Sequence, residues 1–187
     1  MKIFFLCLCF FISTFIPYHL SARIRWKEHF FLWLLVLSTF MMDPGSKFSF
    51  WSWIEICILI GVYYQDIITY YFSWPWLLCF FILLAFPIQD ILSAFISLGI
   101  YGGISGLIYI LSKDWIGIAD VFFIFGYSFS LGLERMTIAL LCACLFGCMF
   151  CIFYKKKCIP FLSMLAIGVI IARVYGYTIW YYLIGFI

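Results

Sequence analysis

The chain has 187 residues, of which 68% are hydrophobic, 24% aromatic and only 10% charged. An ordinary soluble domain carries about 25% charged residues, and a soluble body of this size has too little interior to hide so much apolar surface. The formal net charge of +3 is too small to point to nucleic acid, so the composition predicts an all-α, polytopic transmembrane bundle with lipid as its solvent.

Polar breaks divide the sequence into about eight membrane segments. The first is 2–18. Residues 1–20 have the outline of a secretory signal, with Lys2, an apolar run and small residues at Ser21 and Ala22. Arg23, Arg25 and Lys27 follow at once, however, as in a retained flank, so this stretch is expected to stay as the first span. The second segment is 30–42, closed by the turn-forming Asp43-Pro44-Gly45-Ser46-Lys47. The third is 48–64 and stops at Gln65-Asp66; the fourth is 74–87, before Gln89-Asp90. The fifth covers 91–111, the sixth 115–133 and the seventh 136–154, with Glu134-Arg135 between the last two. After Lys155-Lys156-Lys157 an eighth runs from 159 to at least 172, and the tail past Arg173 either continues it or lies at the interface. No soluble domain or flexible linker interrupts the pattern: residues 1–187 read as one membrane domain, with 1–53 as its N-terminal segments and 54–175 as its core.

Alternate connections differ in charge. Arg23, Arg25, Lys27, Lys113, Lys155, Lys156 and Lys157 fall on one face; Lys2, Lys47, Arg135 and Arg173 fall on the other. The face with seven basic residues is expected to be cytoplasmic, which places Asp66 and the 113–120 region there too and the N-terminus outside. The nine cysteines (Cys7, Cys9, Cys57, Cys79, Cys142, Cys144, Cys148, Cys151 and Cys158) lie almost entirely within apolar runs. A disulfide framework or zinc ribbon would space them in polar loops. They read as small packing residues, Cys148-x-x-Cys151 included. His19, Glu28 and His29 read as interfacial rather than as metal ligands, so neither a metal nor another cofactor is expected.

Ionisable groups at membrane depth are costly, so each needs a reason. Glu55, Asp66, Asp90, Asp114, Asp120, Glu134 and Arg173 are the candidates, most of them at segment ends. Asp66 closes the third segment. Asp120 enters the sixth behind Gly117 and Ala119, small residues that permit close approach of backbone or substrate. If these segments are neighbours, two carboxyls face each other near one membrane surface. Such a pair cannot easily ionise together, so one group can serve as general base and the other as acid. The alternative from spacing alone is two unrelated helix caps.

Three features in order give the chain a resemblance to a known family. Asp66-Ile67-Ile68-Thr69 is similar to a first-aspartate motif with Thr three residues on. Gly117-Ile118-Ala119-Asp120 resembles a GxGD motif, with Gly126 and Gly132 behind it. Lys155-Lys156-Lys157-Cys158-Ile159-Pro160-Phe161, followed by Gly168, resembles a basic, Ile-Pro-Phe, Gly-containing segment. Together they resemble the type IV prepilin peptidases, membrane aspartyl proteases of the GxGD type, over roughly residues 54–175. The resemblance implies an endopeptidase that removes basic leaders from pilin-like or pseudopilin precursors of pilus, type II secretion or competence systems, at the cytoplasmic face of a bacterial inner membrane. Asp66 and Asp120 would be catalytic, with Gly117, Ala119 and Thr69 shaping the site. The chain departs from the family in four respects: Ala119 replaces the second Gly of the motif, Phe72-Ser73-Trp74 stands where an Ile-Pro-Asn-like run is usual, Phe122 stands where a basic residue is common, and the 19–29 loop contains no Cys. The short loop implies that the zinc domain and methyltransferase activity of many members are absent. Ala119 also leaves open a catalytically altered relative that binds pilin helices without cutting them. The sparse acidic residues leave open a small proton- or cation-coupled transporter.

Overall fold

The structure, a computed structural model, describes residues 50–69, 90–112, 116–154 and 159–185. The segments at 2–18, 30–42 and 74–87 lie outside these residues, as do His19, Glu28 and His29. All regular structure among the described residues is helical: α1 (Phe50–Thr69), α2 (Ile91–Ser97), a π-helical turn (Leu98–Gly102), α3 (Gly103–Leu111), α4 (Ile118–Tyr154) and α5 (Phe161–Gly185).

The boundaries follow local chemistry. Asp90 caps α2, its carboxylate accepting the Leu92 N–H at 3.0 Å. Ala94 N–H then reaches the Asp90 carbonyl. α2, the π turn and α3 run on as one apolar rod, Ile91–Leu111, which is the fifth expected segment. α4 opens at Gly117, whose carbonyl accepts the Val121 N–H at 3.2 Å; α5 opens at Pro160, whose carbonyl accepts the Met164 N–H at 3.3 Å. α1 continues beyond residue 64, so Asp66 lies inside its last turn rather than after it. The tail past Arg173 continues α5 to Gly185.

α4 is interrupted at Gly132, whose φ of 74° and ψ of 178° are open in practice only to glycine. The contacts on either side show that the chain reverses there. Phe129 and Phe125, before the break, meet Phe95 and Gly102 of the α2–α3 rod. Leu133 and Thr137, after the break, meet Ser93 and Tyr101 of the same rod. The two limbs of α4 therefore run in opposite directions along one neighbour. At 1.5 Å per residue, 118–131 is about 21 Å long and 133–154 about 33 Å, against a hydrocarbon core of about 30 Å.

α1 and α5 are antiparallel, fixed by Asp66 against Ser163 at one end and Glu55 against Arg173 toward the other. The core lies between α1, the first limb of α4 and the first half of α5. Leu59, Ile60, Tyr64, Phe123, Tyr127, Leu165 and Ile167 are all buried there. The second limb of α4 closes on α5 at Gly168, where a Cβ would lie 2.2 Å from the Ala139 carbonyl oxygen. Only a residue without a side chain permits that approach.

The outward faces are apolar. Ile91, Leu92, Leu107, Ile110, Leu145, Ile152 and Phe153 are exposed, a surface that water would not tolerate at this extent. Among the described residues, three helical stretches are long and apolar enough to cross a membrane: Ile91–Leu111, Ile118–Phe153 and Phe161–Gly185. The described part is thus all-helical and that of a membrane protein. The expected division into about eight segments is not supported among the described residues.

Candidate active site at the aspartate end

Helix directions bring the C-terminal end of α1, the start of α4 and the start of α5 to one end of the bundle. Asp66 sits in the last turn of α1 and is 6% exposed. Its Oδ2 accepts the Ser163 backbone N–H at 2.8 Å and lies 2.8 Å from the Ser163 hydroxyl. Ser163 is the third residue of α5. Pro160 has no side-chain acceptor to cap that helix, so a carboxylate from α1 caps it instead. Burial raises the Asp66 carboxyl above the ordinary carboxylate range, and the two Ser163 hydrogen bonds act in the opposite sense by favouring its charge.

Asp120 occupies the same position in α4, the third residue of its helix. Its Oδ2 accepts the Gly117 N–H at 3.1 Å, the reciprocal half of a capping box. A Cβ on Gly117 would come to 3.2 Å from that oxygen, so the glycine leaves room for the carboxyl. Ala119 is half-buried and packs against the core. Asp120 lies within range of the Asp66 charge. The side chain of Thr69 lies outside the described residues.

Both aspartates are thus helix caps at the same end of the helices. Chemically, two carboxyls within range of each other's charge resist ionising together. Sequence reasoning missed Ser163. The available signal was a small polar residue one turn into an apolar helix whose N-cap is proline.

A second polar centre, toward the Gly132 end, was read only as segment-end charge. Arg173 is not in a connection: it lies in mid-α5 and pairs with Glu55 at 2.9 Å, with the two side chains 7% and 9% exposed. Arg173 also donates to the Ser130 hydroxyl. Arg135 lies 4.0 Å over the Tyr177 ring. Beside it, a cavity of about 110 Å³ is lined by Asp90, Ser93, Ser130, Gly132, Glu134 and Tyr177. Cys142, Cys144, Cys148 and Cys151 are free thiols. Among the described residues, no group of three or more His, Cys, Asp or Glu side chains is placed to hold a metal ion.

No family model matches the chain, and neither a curated protein nor a solved structure matches it.

Proposed function

We propose that the protein is a membrane-embedded aspartyl endopeptidase that removes basic leader peptides from type IV pilin-like or pseudopilin precursors. The observation that supports this reading is that Asp66 and Asp120, remote in sequence, lie at the same end of the helices with Asp120 in range of the Asp66 charge. The order of the motifs around them adds to it. In this account the protein belongs to a bacterial cytoplasmic membrane and crosses it about eight times. The aspartate end faces inward, because the helices that flank Lys113 and Lys155–Lys157 in sequence end and begin there.

The chemistry needs one ionised and one protonated carboxyl. The carboxylate takes a proton from water, and the resulting hydroxide bonds to the scissile carbonyl carbon. The other carboxyl gives its proton to the carbonyl oxygen, leaving a neutral diol. The C–N bond then breaks as the first carboxyl returns its proton to nitrogen, and the second recovers its proton from the diol. No covalent enzyme intermediate forms.

Ala119 supports a second reading, in which an added methyl in the motif leaves a protein that binds pilin-like helices without cutting them. Co-expression with an epitope-tagged pilin precursor separates the two. Leader loss with the native chain supports the peptidase. Leader loss only after Ala119→Gly supports the altered relative. No leader loss with either removes the proposal's support.

A further inference from the structure

We infer that Ser163 is a positioning residue that fixes the negative charge of the pair on Asp66, which makes Asp66 the base toward water and Asp120 the acid toward the carbonyl oxygen. The division of labour rests on the proposed proteolysis; the hold on Asp66 does not.

The argument is a comparison of donors. Asp66 Oδ2 receives a backbone N–H and faces a hydroxyl, each at 2.8 Å, both from Ser163. Among the described residues, Asp120 receives one backbone N–H, from Gly117 at 3.1 Å. Hydrogen bonds to an ionised carboxylate are roughly twice as strong as neutral ones, so the group with two donors is the one to carry the charge. A backbone N–H can only donate, which excludes a proton on the side of Oδ2 that it occupies. Both carboxyls cap helix starts and gain from those dipoles, while the C-terminal end of α1 opposes the charge of Asp66; the Ser163 hydroxyl is the donor that Asp66 has in addition.

The Ser163 hydroxyl has one proton and two acceptors within reach, Asp66 Oδ2 at 2.8 Å and the Tyr63 carbonyl at 3.0 Å. With Asp66 ionised, the proton points to Oδ2. With Asp66 protonated, the carboxyl donates to Oγ and the serine proton turns to Tyr63. The bond to the ionised carboxylate is charge-assisted, whereas the alternative joins neutral groups, so the hydroxyl favours the ionised state of Asp66. Both donations fall on Oδ2, and Oδ1 is the oxygen assigned to the water. Among the described residues, Asp120 of α4 is a titratable group within range of the Asp66 charge; 161–170 of α5 contain none.

The test is an infrared titration of the carboxyl stretch in the full chain in lipid nanodiscs, with Asp66→Asn assigning the Asp66 band. Ser163→Ala is expected to raise the Asp66 midpoint by about one unit. Ser163→Thr keeps the native value, and Ser163→Cys, a weak donor of similar size, falls between. In the processing reaction, the acid limb of kcat/KM moves with the midpoint. An unchanged midpoint in folded Ser163→Ala overturns the inference. Should that variant not fold, equal midpoints for Ser163 and Ser163→Cys overturn it instead. A midpoint that shifts in a protein that cuts no precursor keeps the hold on Asp66 and removes the proteolysis.

Discussion

Asp66 Oδ2 and the Ser163 backbone nitrogen are 2.8 Å apart, across 97 residues of sequence. This contact joins the end of α1 to the start of α5 and makes the proposed catalytic group a structural cap as well. Substitution of Asp66 therefore has two effects, and the experiments must separate them.

Asp66→Asn keeps a neutral acceptor beside Ser163 and removes the base. Asp120→Asn removes the acid and keeps an acceptor for Gly117. Each is expected to lower leader cleavage by roughly 10²- to 10⁴-fold while the protein still accumulates in membranes. Immunoblots of precursor and enzyme together read both quantities. Loss of the enzyme band alongside loss of cleavage would place the effect in folding rather than chemistry.

The pair sets a pH dependence. Cleavage needs one proton on two carboxyls, so kcat/KM is expected to be bell-shaped, with both limbs belonging to the pair. A flat rate from acid to neutral pH would contradict a dyad. Stability has its own sign. Burial raises the folded Asp66 carboxyl above its ordinary value, so its contribution is complete below the unfolded value of about 3.9 and is lost as pH rises through the folded one. Thermal unfolding of the native protein is expected to weaken over that rise, and Asp66→Asn to weaken less.

Glu55 and Arg173 form an almost fully buried pair. Removing one partner strands the other charge, which costs about 3–5 kcal/mol in buried sites. Glu55→Gln and Arg173→Gln are each expected to unfold at markedly lower temperature, and Glu55→Gln with Arg173→Met to regain part of the loss. The pair lies more than two helical turns from Asp66 along α1, so the folded fraction is expected to keep its pH profile.

Gly168 lets α4 and α5 touch backbone to backbone. Gly168→Ala would drive a methyl to 2.2 Å from the Ala139 carbonyl oxygen, and the helices must part, at a cost of about 1–3 kcal/mol or more. Gly106→Ala, which meets nothing within 4 Å, is the matched control and is expected to be neutral. Gly132→Ala would combine a positive φ with a Cβ 2.7 Å from Ser93 Oγ and is expected to disrupt the reversal of α4. Fluorescence-detected size-exclusion melts rank all three.

Hydropathy made the all-helical membrane class legible, because it depends on composition alone. The rod at Ile91–Leu111 was legible to the residue, since Asp90 and Ser112 punctuate it on both sides. The break between the sixth and seventh segments was expected at Glu134-Arg135, but the chain turns at Gly132. Charge marked the neighbourhood, while the backbone conformation required glycine. Glu55 and Arg173 were read as separate charges because a sequence does not show that two lone opposite charges share a depth on adjacent helices. Asp66 and Asp120 were legible as a candidate pair through motif order. The contact of Asp66 with Ser163 was not, because it depends on the antiparallel register of α1 and α5.

The central claim is that Asp66 and Asp120 work as one unit, and leader cleavage by the single and double Asp→Asn variants tests it most directly. Groups that act together are not additive. The account predicts that Asp66→Asn, Asp120→Asn and the double variant all cleave a tagged pilin precursor at the same residual rate. Cleavage that survives loss of either aspartate, or that falls much further in the double variant than in each single one, would contradict it.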